Sequence, residues 1–343
     1  MKINWGLIGL GNISKIFAEA FQSTKNANLL AIASKNEKKL NFFKNKYSIN
    51  RDFCFNDYEK LIRCNKIDVV YISLPNSFHK EWIDKCFFYK KKILVEKPAL
   101  NNFNDAKEIR DKILKDKNFF SEGFMYKFYP QFKKVVELIK NDKIGDIISI
   151  ESSYGTNLIT KKKFFFFEKK KKINPENRLF NKNLGGGCIL DLGCYPVSFS
   201  TLLISLQNNI KDEKFVINDC KKEFGETGVD IDASLECIFD NKISIKINSS
   251  FKKNVGKKSI IKGSKGTIIV DDTWIEGKIV RFIKDNSERQ YIFDNPINPY
   301  ILEIENISES ILKKLDHCLF PGTKFNETFI NTKILNDWLY DKK

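Results

Sequence analysis

The chain has 343 residues, more than one ordinary domain core needs, so its length predicts two domains. Hydrophobic residues make up 42% of the sequence, which is enough to fill packed cores and argues against a chain that is disordered throughout. The net charge of +16 invites a nucleic-acid interpretation, but the lysines are dispersed, and phosphate binding needs positive charge concentrated on one surface. We therefore expect no nucleic acid as a partner.

Strand-like and helix-like patterns alternate along the first 125 residues. The predicted strands are Ile3–Ile8, Leu29–Ala33, Asp68–Leu74, Lys92–Glu96 and Phe119–Gly123. The predicted helices between and beside them are Ile13–Gln22, Glu37–Lys46, Tyr58–Arg63, Ser77–Tyr89 and Asn104–Lys115. Because the strands are apolar on both faces, the pattern predicts a parallel sheet covered by helices on both sides, a doubly wound Rossmann domain over residues 1–124.

The pattern changes in the second part of the chain. Predicted helices are Gln131–Lys140, Leu190–Ser205, Tyr300–Leu315 and Asn326–Leu339. Predicted strands are Ile147–Tyr154, Ala233–Phe239, Ile243–Ser250, Lys258–Ile261, Thr267–Val270, Ile279–Ile283 and Gln290–Phe293. Short turns between the strands favour an α+β domain with an open, mainly antiparallel sheet over residues 125–343, although the last two helices could pack on either domain.

A cluster of lysine and phenylalanine side chains runs from Lys161 to Lys172. Aromatic residues in a basic run can stack on bases or contact an anionic membrane, but a lysine-rich loop beside a short buried strand has the same composition, and we favour the loop. No uninterrupted apolar run approaches the ~20 residues of a membrane span, and the N-terminus lacks the pattern of a signal peptide. Eight cysteines without CxxC spacing indicate buried free thiols rather than a metal or redox motif. These features predict a cytoplasmic protein without a membrane partner or a metal site.

A glycine-rich turn, Gly9-Leu10-Gly11-Asn12-Ile13-Ser14, follows the first strand and opens the first helix. In dinucleotide-binding turns the first glycine permits the tight bend, and the second lets the backbone approach a pyrophosphate at the helix N-terminus. Ser14 replaces the third glycine, and this position needs only a small residue. The strand–turn–helix context predicts a dinucleotide site with contacts from Gly9, Gly11, Asn12 and Ile13, whereas the alternative is an incidental glycine turn.

The end of the second predicted strand helps to choose the cofactor. An acidic residue there would bind the ribose hydroxyl of NAD, but the chain has Ser34 and Lys35, whose hydroxyl and ammonium suit the 2′-phosphate of NADP. The sequence therefore favours NADP. Glu37 lies close enough to leave NAD possible, and Lys35 could be one more surface lysine.

Five motifs in order resemble the glucose–fructose oxidoreductase/inositol dehydrogenase (Gfo/Idh/MocA) family over nearly the whole chain. They are the Gly9–Ser14 turn, Ser73–His79 (SLPNSFH), Glu96-Lys97-Pro98, Glu122–Pro130 (EGFMYKFYP) and Gly185–Pro196 (GGGCILDLGCYP). The last two look most like the branch that contains dihydrodiol dehydrogenases and glucose–fructose oxidoreductase. The resemblance implies use of NAD(P), with NADP common in this branch, and a second-domain sheet that supports dimer or tetramer contacts.

The resemblance also implies roles for individual residues. Lys97 and Tyr195 are the predicted catalytic pair, and Lys97 follows a strand at the edge of the sheet where ligands bind. Asp191 lies four residues before Tyr195, so on a helix the two would share a face, and Asp191 could hold a substrate hydroxyl. The alternatives are a structural Glu96–Lys97 pair, a half-buried helix aromatic at Tyr195 and a helix-start charge at Asp191.

Further contacts are expected in the loops after the predicted strands. The predicted cofactor contacts there are Leu74, Pro75, Asn76, His79, Glu96 and Lys97. His79 fits a positioning role better than that of the acid, and His317 is expected to be structural. Lys127 and Arg178 are predicted substrate contacts, although Lys127 departs from the arginine usual in this branch and Arg178 could merely anchor its loop.

These residues lead to a hypothesis with two alternatives. The sequence favours an NAD(P)-dependent oxidoreductase that acts on a sugar, a cyclitol or a similar polyhydroxylated small molecule. One alternative is a redox-neutral enzyme of the same family in which tightly bound NAD(P) is reduced and reoxidised within a turnover. The other is a dinucleotide-binding sensor without catalysis, against which the Lys97, Asp191 and Tyr195 set argues.

Overall fold

The computed structural model describes residues 1–163, 167–275, 277–294 and 297–340, so Phe164–Phe166 of the predicted lysine-rich loop lie outside the described residues. The helices are α1 (Asn12–Ala20), α2 (Glu37–Lys46), α3 (Tyr58–Arg63), α4 (His79–Phe88), α5 (Phe103–Asp116), α6 (Pro130–Lys140), α7 (Cys194–Ser205), α8 (Pro299–Leu312) and α9 (Phe325–Tyr340). The strands are β1 (Ile3–Ile8), β2 (Ala27–Ala33), β3 (Cys54–Phe55), β4 (Val69–Ile72), β5 (Lys92–Glu96), β6 (Phe120–Gly123), β7 (Ile147–Gly155), β8 (Thr160–Lys163), β9 (Phe167–Lys170), β10 (Phe215–Phe224), β11 (Asp230–Phe239), β12 (Ile243–Ser250), β13 (Ser259–Gly263), β14 (Thr267–Val270), β15 (Ile279–Lys284) and β16 (Ser287–Ile292).

The first compact unit comprises Met1–Phe128 and Ile297–Thr328. Its six-stranded sheet has the order β3-β2-β1-β4-β5-β6, and every neighbouring pair is parallel. This is the order of a doubly wound dinucleotide-binding sheet, which confirms the Rossmann prediction. The direction of winding reverses between β1 and β4, and ligands bind at the carboxyl ends of the strands at such a point.

An aromatic core explains why α8 belongs to this first unit. Phe17 of α1 stacks on Tyr71 of β4 with ring centroids 3.8 Å apart. Trp5 of β1 donates from Nε1 to Ser308 Oγ of α8 at 3.0 Å, and α8 adds Ile304 and other isoleucines of one helix face to the same buried cluster. The division therefore differs from the predicted boundaries of 1–124 and 125–343, and it resolves the placement of α8 that the sequence left open.

The second compact unit comprises Tyr129–Pro296 and Phe329–Lys343. Its eight-stranded sheet has the order β10-β11-β12-β7-β13-β14-β15-β16. The β12–β7 pair is parallel and the other pairs are antiparallel, so the predicted open, mainly antiparallel sheet is confirmed. The described part of the predicted lysine-rich loop contains a separate two-stranded ribbon, β8–β9.

The helical segment before and within α7 differs from a simple α-helix. Residues Ile189–Gly193 form a π-helical turn, and α7 begins directly after it at Cys194. Short π-helical segments inside helices occur frequently at functional sites. The stretch Lys182–Ser205 is apolar and long enough to cross a membrane, but the apolar window within it is entirely buried in the structure, as a core helix of a folded unit would be.

Candidate functional site

The two glycines of the first turn have different surroundings. Gly9 has φ +87°, and a Cβ added there would lie 2.7 Å from the Ser73 carbonyl oxygen, so the fold itself requires glycine. Gly11 has φ −98°, which any residue can adopt, and a Cβ there would meet no atom within 4 Å. The turn therefore leaves open space beside Gly11 at the N-terminus of α1, and these residues fit a bound pyrophosphate.

Ser14, in place of the third glycine, is the centre of a hydrogen-bond network. It is completely buried, its hydroxyl donates to the Gly9 carbonyl, and it accepts from the Gly11 N–H at 3.2 Å. Its oxygen also lies 2.8 Å from Ser73 Oγ in the loop after β4. The serine is therefore more than a small residue at this position, because its hydroxyl hydrogen-bonds to both glycines of the turn.

The residues at the end of β2 divide into a structural and an outward-facing group. Ser34 is buried, and its hydroxyl accepts from the Asn36 N–H at 3.1 Å. Asn36 in turn caps α2 by accepting from the Lys39 N–H at 3.0 Å. Lys35 is exposed, and its ammonium lies 5.8 Å from the centre of the Tyr58 ring. Lys35 is therefore an exposed cation directly after this strand.

His79 connects the loops that follow β4 and β5. The side chain is completely buried, with Nδ1 3.0 Å from the Pro98 carbonyl oxygen and Nε2 2.8 Å from the Leu74 carbonyl oxygen. Because both ring nitrogens face backbone carbonyls, the imidazole fixes the positions of two predicted cofactor loops. This geometry supports the positioning role that we expected for His79.

The Glu96-Lys97-Pro98 motif lies at the carboxyl end of β5. Lys97 is half-buried, its N–H donates to Glu96 Oε2 at 3.3 Å, and its peptide bond to Pro98 is cis. The buried Tyr71 hydroxyl donates to Glu96 Oε1. Burial, followed by the neighbouring Glu96 carboxylate, raises the pKa of Tyr71, which keeps the phenol protonated as a donor. The buried Tyr71 hydroxyl therefore holds the Glu96 carboxylate in place, next to the predicted catalytic lysine.

Lys127 has a different environment from the one we predicted. The side chain has no exposed surface, and its ammonium forms an ion pair with Glu327 Oε2 at 2.7 Å. A buried ammonium needs such a partner, since an unpaired charge in the interior is costly. The structure therefore argues against a substrate contact from Lys127 and gives it an internal role.

Two more carboxyl groups of the first unit, those of Glu122 and Glu303, lie near this ion pair. Glu122 accepts from the Ala99 N–H at 2.8 Å and from the Thr328 hydroxyl at 2.7 Å. Burial raises the pKa of Glu122 and of Glu303, and the nearby Lys127 ammonium opposes both shifts. No local pattern in the sequence marks this cluster, because its members come from distant segments of the chain.

In the second unit the structure brings two predicted substrate residues together. Asp191 lies in the π-helical turn, and its Oδ1 accepts from Arg178 Nη1 at 3.1 Å. The aspartate side chain is 12% exposed and the arginine side chain 53% exposed, so the pair has one anchored and one accessible member. The wider π-helical turn changes the simple four-residue spacing from which we predicted a shared face with Tyr195.

Tyr195, the second residue of α7, packs among aromatic rings that the sequence analysis did not single out. Its ring makes an edge contact with Tyr154 at 5.2 Å between centroids, and it lies 5.9 Å from the ring of Trp274. Trp274 is itself fixed, because its Nε1 donates to the Ser153 carbonyl at 2.8 Å. The packing restricts the tyrosine ring to a narrow range of orientations.

Two models of one protein family match this chain, one in its first part and one in its second. Residues 3–124 match the GFO/IDH/MocA profile described as an oxidoreductase family with an NAD-binding Rossmann fold. Residues 132–269 match the GFO/IDH/MocA C-terminal domain.

Individual proteins are also similar over most of the chain. The trans-1,2-dihydrobenzene-1,2-diol dehydrogenase of Xenopus tropicalis is 27% identical over 324 residues, covering 92% of this chain and 91% of the relative. The D-xylose 1-dehydrogenase (NADP(+)) 2 of Haloferax volcanii is 25% identical, covering 72% of this chain and 69% of the relative. Among solved structures, the aldose-aldose oxidoreductase of Caulobacter crescentus, complexed with glycerol, has a TM-score of 0.84 at 17% identity, covering 100% of this chain and 99% of that one. A 3-ketoreductase of Actinomadura kijaniata in complex with NADP and TDP-benzene has a TM-score of 0.81 at 17% identity, covering 98% and 97%.

Proposed function

The chain belongs to the Gfo/Idh/MocA family of NAD(P)-binding oxidoreductases, and from this premise we propose that it transfers a hydride between the nicotinamide and a CH–OH carbon of a sugar, a cyclitol or a similar polyhydroxylated compound. The observation that carries the proposal is the open N-terminus of α1, where Gly11 leaves room that the fold does not fill. The dehydrogenases of Xenopus and Haloferax supply the substrate class by similarity.

The cofactor lies, in this proposal, on the residues at the carboxyl ends of the parallel strands. The residues proposed to form this site are Gly9, Gly11, Asn12, Ile13, Ser34, Lys35, Leu74, Pro75, Asn76, His79, Glu96 and Lys97. Lys35 pairs with a 2′-phosphate and makes NADP the preferred cofactor, since an exposed ammonium at the end of β2 suits a phosphate. The buried His79 acts on the cofactor indirectly, through the two loops that it connects.

Lys97 and Tyr195 carry proton transfer in the proposed reaction. The bound nicotinamide supplies or accepts the hydride. The Tyr195 phenol gives or takes the proton of the alcohol oxygen, and the Lys97 ammonium polarises that oxygen. The Asp191–Arg178 pair binds substrate hydroxyl groups, because a carboxylate and a guanidinium together offer acceptors and donors.

Mutant kinetics test this assignment. The parent is assayed with NADP and NADPH against D-xylose, D-glucose, myo-inositol, a trans-dihydrodiol and the corresponding carbonyl compounds. Tyr195→Phe and Lys97→Ala are each expected to lower kcat by about 100-fold or more, the usual cost of losing an acid–base group. If the two side chains act as one unit, the double variant is little worse than the poorer single variant.

Matched controls separate chemistry from packing. Tyr291→Phe removes a tyrosine hydroxyl elsewhere in the second unit, and Lys92→Ala removes a lysine at the opposite end of β5. Both controls are expected to keep kcat within a few-fold of the parent. Hydride transfer by Tyr195→Phe at the parent rate would remove the phenol from the proposed mechanism.

We also propose a homo-oligomer built through the eight-stranded sheet. The face that carries Lys246, Glu236 and Glu151 has exposed or half-exposed side chains, with Lys246 paired to Glu236 at 3.0 Å, and it also presents Ile148, which is 52% exposed. Sedimentation equilibrium is expected to give a dimer or tetramer, and Ile148→Glu is expected to shift it towards monomer. A monomeric parent would contradict this part.

The eight free thiols support a cytoplasmic location.

A further inference from the structure

A second glycine-rich turn, Gly185–Gly187, precedes the helical segment with Asp191 and Tyr195, and a buried carboxylate fills it. Asp230, the first residue of β11, is 2% exposed. Its Oδ2 accepts from the Ile189 N–H at 2.6 Å. A Cβ added to Gly187, which has φ +116°, would lie 2.2 Å from Asp230 Oδ1. The carboxylate therefore lies directly against the turn that begins the segment.

Other contacts hold the same turn on the sheet and on the preceding loop. Ser249 Oγ of β12 donates to the Cys188 carbonyl at 2.8 Å. A Cβ on Gly186 would lie 2.6 Å from the Arg178 carbonyl oxygen, so the backbone that carries Arg178 presses against the turn. Asp191 and its ion-pair partner Arg178 therefore both lie on backbone segments that contact this turn, and Asp230 anchors the turn.

We propose that Asp230 is a positioning residue, which fixes the first turn of the segment that carries Asp191 and Tyr195. The proposal rests on the roles given above to these two residues. N–H groups at the beginning of a helical segment attract a negative charge, and here the charge comes from the protein itself. Burying a carboxylate is costly, and burial raises the pKa of Asp230 while the backbone N–H groups of Ile189 and Cys188 oppose that shift. A residue that serves only packing would not need this charge.

Hydrogen exchange of the segment 185–195, measured by mass spectrometry, tests the contact without any substrate. Asp230→Asn keeps the shape but replaces the carboxylate by a neutral amide, and it is expected to speed exchange of the Ile189 amide by about 10-fold, the loss of one charged hydrogen bond. Asp232→Asn is the matched control, because Asp232 lies on the same strand and pairs with Lys253 at 2.6 Å instead of the turn. Exchange at the parent rate in Asp230→Asn would overturn the proposal.

Kinetics with the best substrate of the screening set test whether the positioning matters. In Asp230→Asn, kcat is expected to fall by about 10-fold or more while the Kd for NADPH stays at the parent value, and Asp232→Asn is expected to keep both. Faster exchange with an unchanged kcat would overturn the catalytic part of the proposal. A parent without turnover on any compound of the set would count against the proposed function, and the exchange measurement alone would then decide the role of Asp230.

Discussion

The two glycine-rich turns of this protein have the same local design and opposite contents. Each follows an extended or irregular segment, contains a glycine with positive φ, and opens a helical segment. The first leaves open space beside Gly11, whereas the second holds the carboxylate of Asp230 against Gly187. The first turn therefore has room for the anionic group of a ligand, whereas the second turn already contacts an anionic group of the protein, the Asp230 carboxylate.

Glycine spacing alone therefore does not identify an anion site. What distinguishes the turns is the volume where a Cβ would be: empty at Gly11, backbone at Gly9, carboxylate at Gly187. Gly11 combines an open Cβ position with a φ that any residue can adopt, so neither packing nor backbone conformation requires a glycine there. On this basis we assign Gly11 to the proposed cofactor site and Gly187 to the turn that supports Asp191 and Tyr195.

Placing an internal carboxylate in the first turn is expected to have the largest effect. Gly11→Asp introduces a negative charge where the pyrophosphate binds, and like charges at such a distance cost several kcal/mol. We expect NADPH affinity to fall by about 100-fold or more, while the melting temperature stays near that of the parent because a Cβ at this position meets no atom within 4 Å. Fluorescence titration and circular dichroism measure the two quantities. NADPH affinity equal to the parent's in a folded variant would contradict the cofactor assignment.

Filling the second turn is expected to damage the fold instead. Gly187→Ala combines a positive φ with a contact to the Asp230 carboxylate, so we expect a loss of about 1–3 kcal/mol, from backbone strain and displacement of the carboxylate. Gly228→Ala is the matched control, since Gly228 has φ +75° but no atom within 4 Å of its Cβ position, and only the conformational part applies. Thermal melts that show equal losses for both variants would contradict the packing against Asp230.

The cation beside the first turn is expected to have a smaller, selective effect. Lys35→Ala is expected to weaken NADP binding by about 10-fold, the cost of a charged hydrogen bond, and to leave NAD binding nearly unchanged. Lys38→Ala, which removes another exposed lysine close by, is expected to change neither. Equal losses for both cofactors in Lys35→Ala, or tighter binding of NAD by the parent, would contradict the NADP preference.

The buried carboxyl of Glu303 predicts a small effect of pH on the first unit. Burial, and then the neighbouring Glu96, raises its pKa, while Lys127 and the Phe124 N–H oppose the shift. A raised carboxyl pKa gives stability that is fully present below the unfolded pKa and is lost as pH rises through the folded one. Glu303→Gln removes this loss, so its melting temperature relative to the parent is expected to rise by about 2–4 °C between pH 5 and pH 8. A pH-independent difference would contradict the shift.

Much of the fold could be predicted because apolar patterns mark its elements. β1 and β5 are short apolar runs, and the structure gives them the predicted bounds. β10 was missed because it is an edge strand with polar and charged residues, paired on one side with β11. The apolar face of α8 predicted a packed helix, but nothing in its pattern indicated which sheet it would cover.

Residues of the candidate site could be predicted only where they belong to a short motif that is typical of a known function. The Gly9–Ser14 turn and the Glu96-Lys97-Pro98 motif are recognisable as strings, and the structure places both at strand ends. Asp230 follows Gly228-Val229, so in the sequence it looks like a turn residue, and its contact with Ile189 spans 41 positions. Burial of Lys127 also depends on a distant residue, Glu327, and no local pattern carries that information.

Hydrogen exchange of the parent with and without saturating NADPH tests the comparison of the two turns most directly. We predict that the amides of residues 12–14 exchange fast in the free protein and slowly with NADPH, because the ligand supplies the missing anion. We also predict that the Ile189 amide exchanges slowly in both samples, because Asp230 holds it already. Unchanged exchange at residues 12–14 in the saturated protein, or fast exchange at Ile189 without NADPH, would contradict this distinction between the two turns.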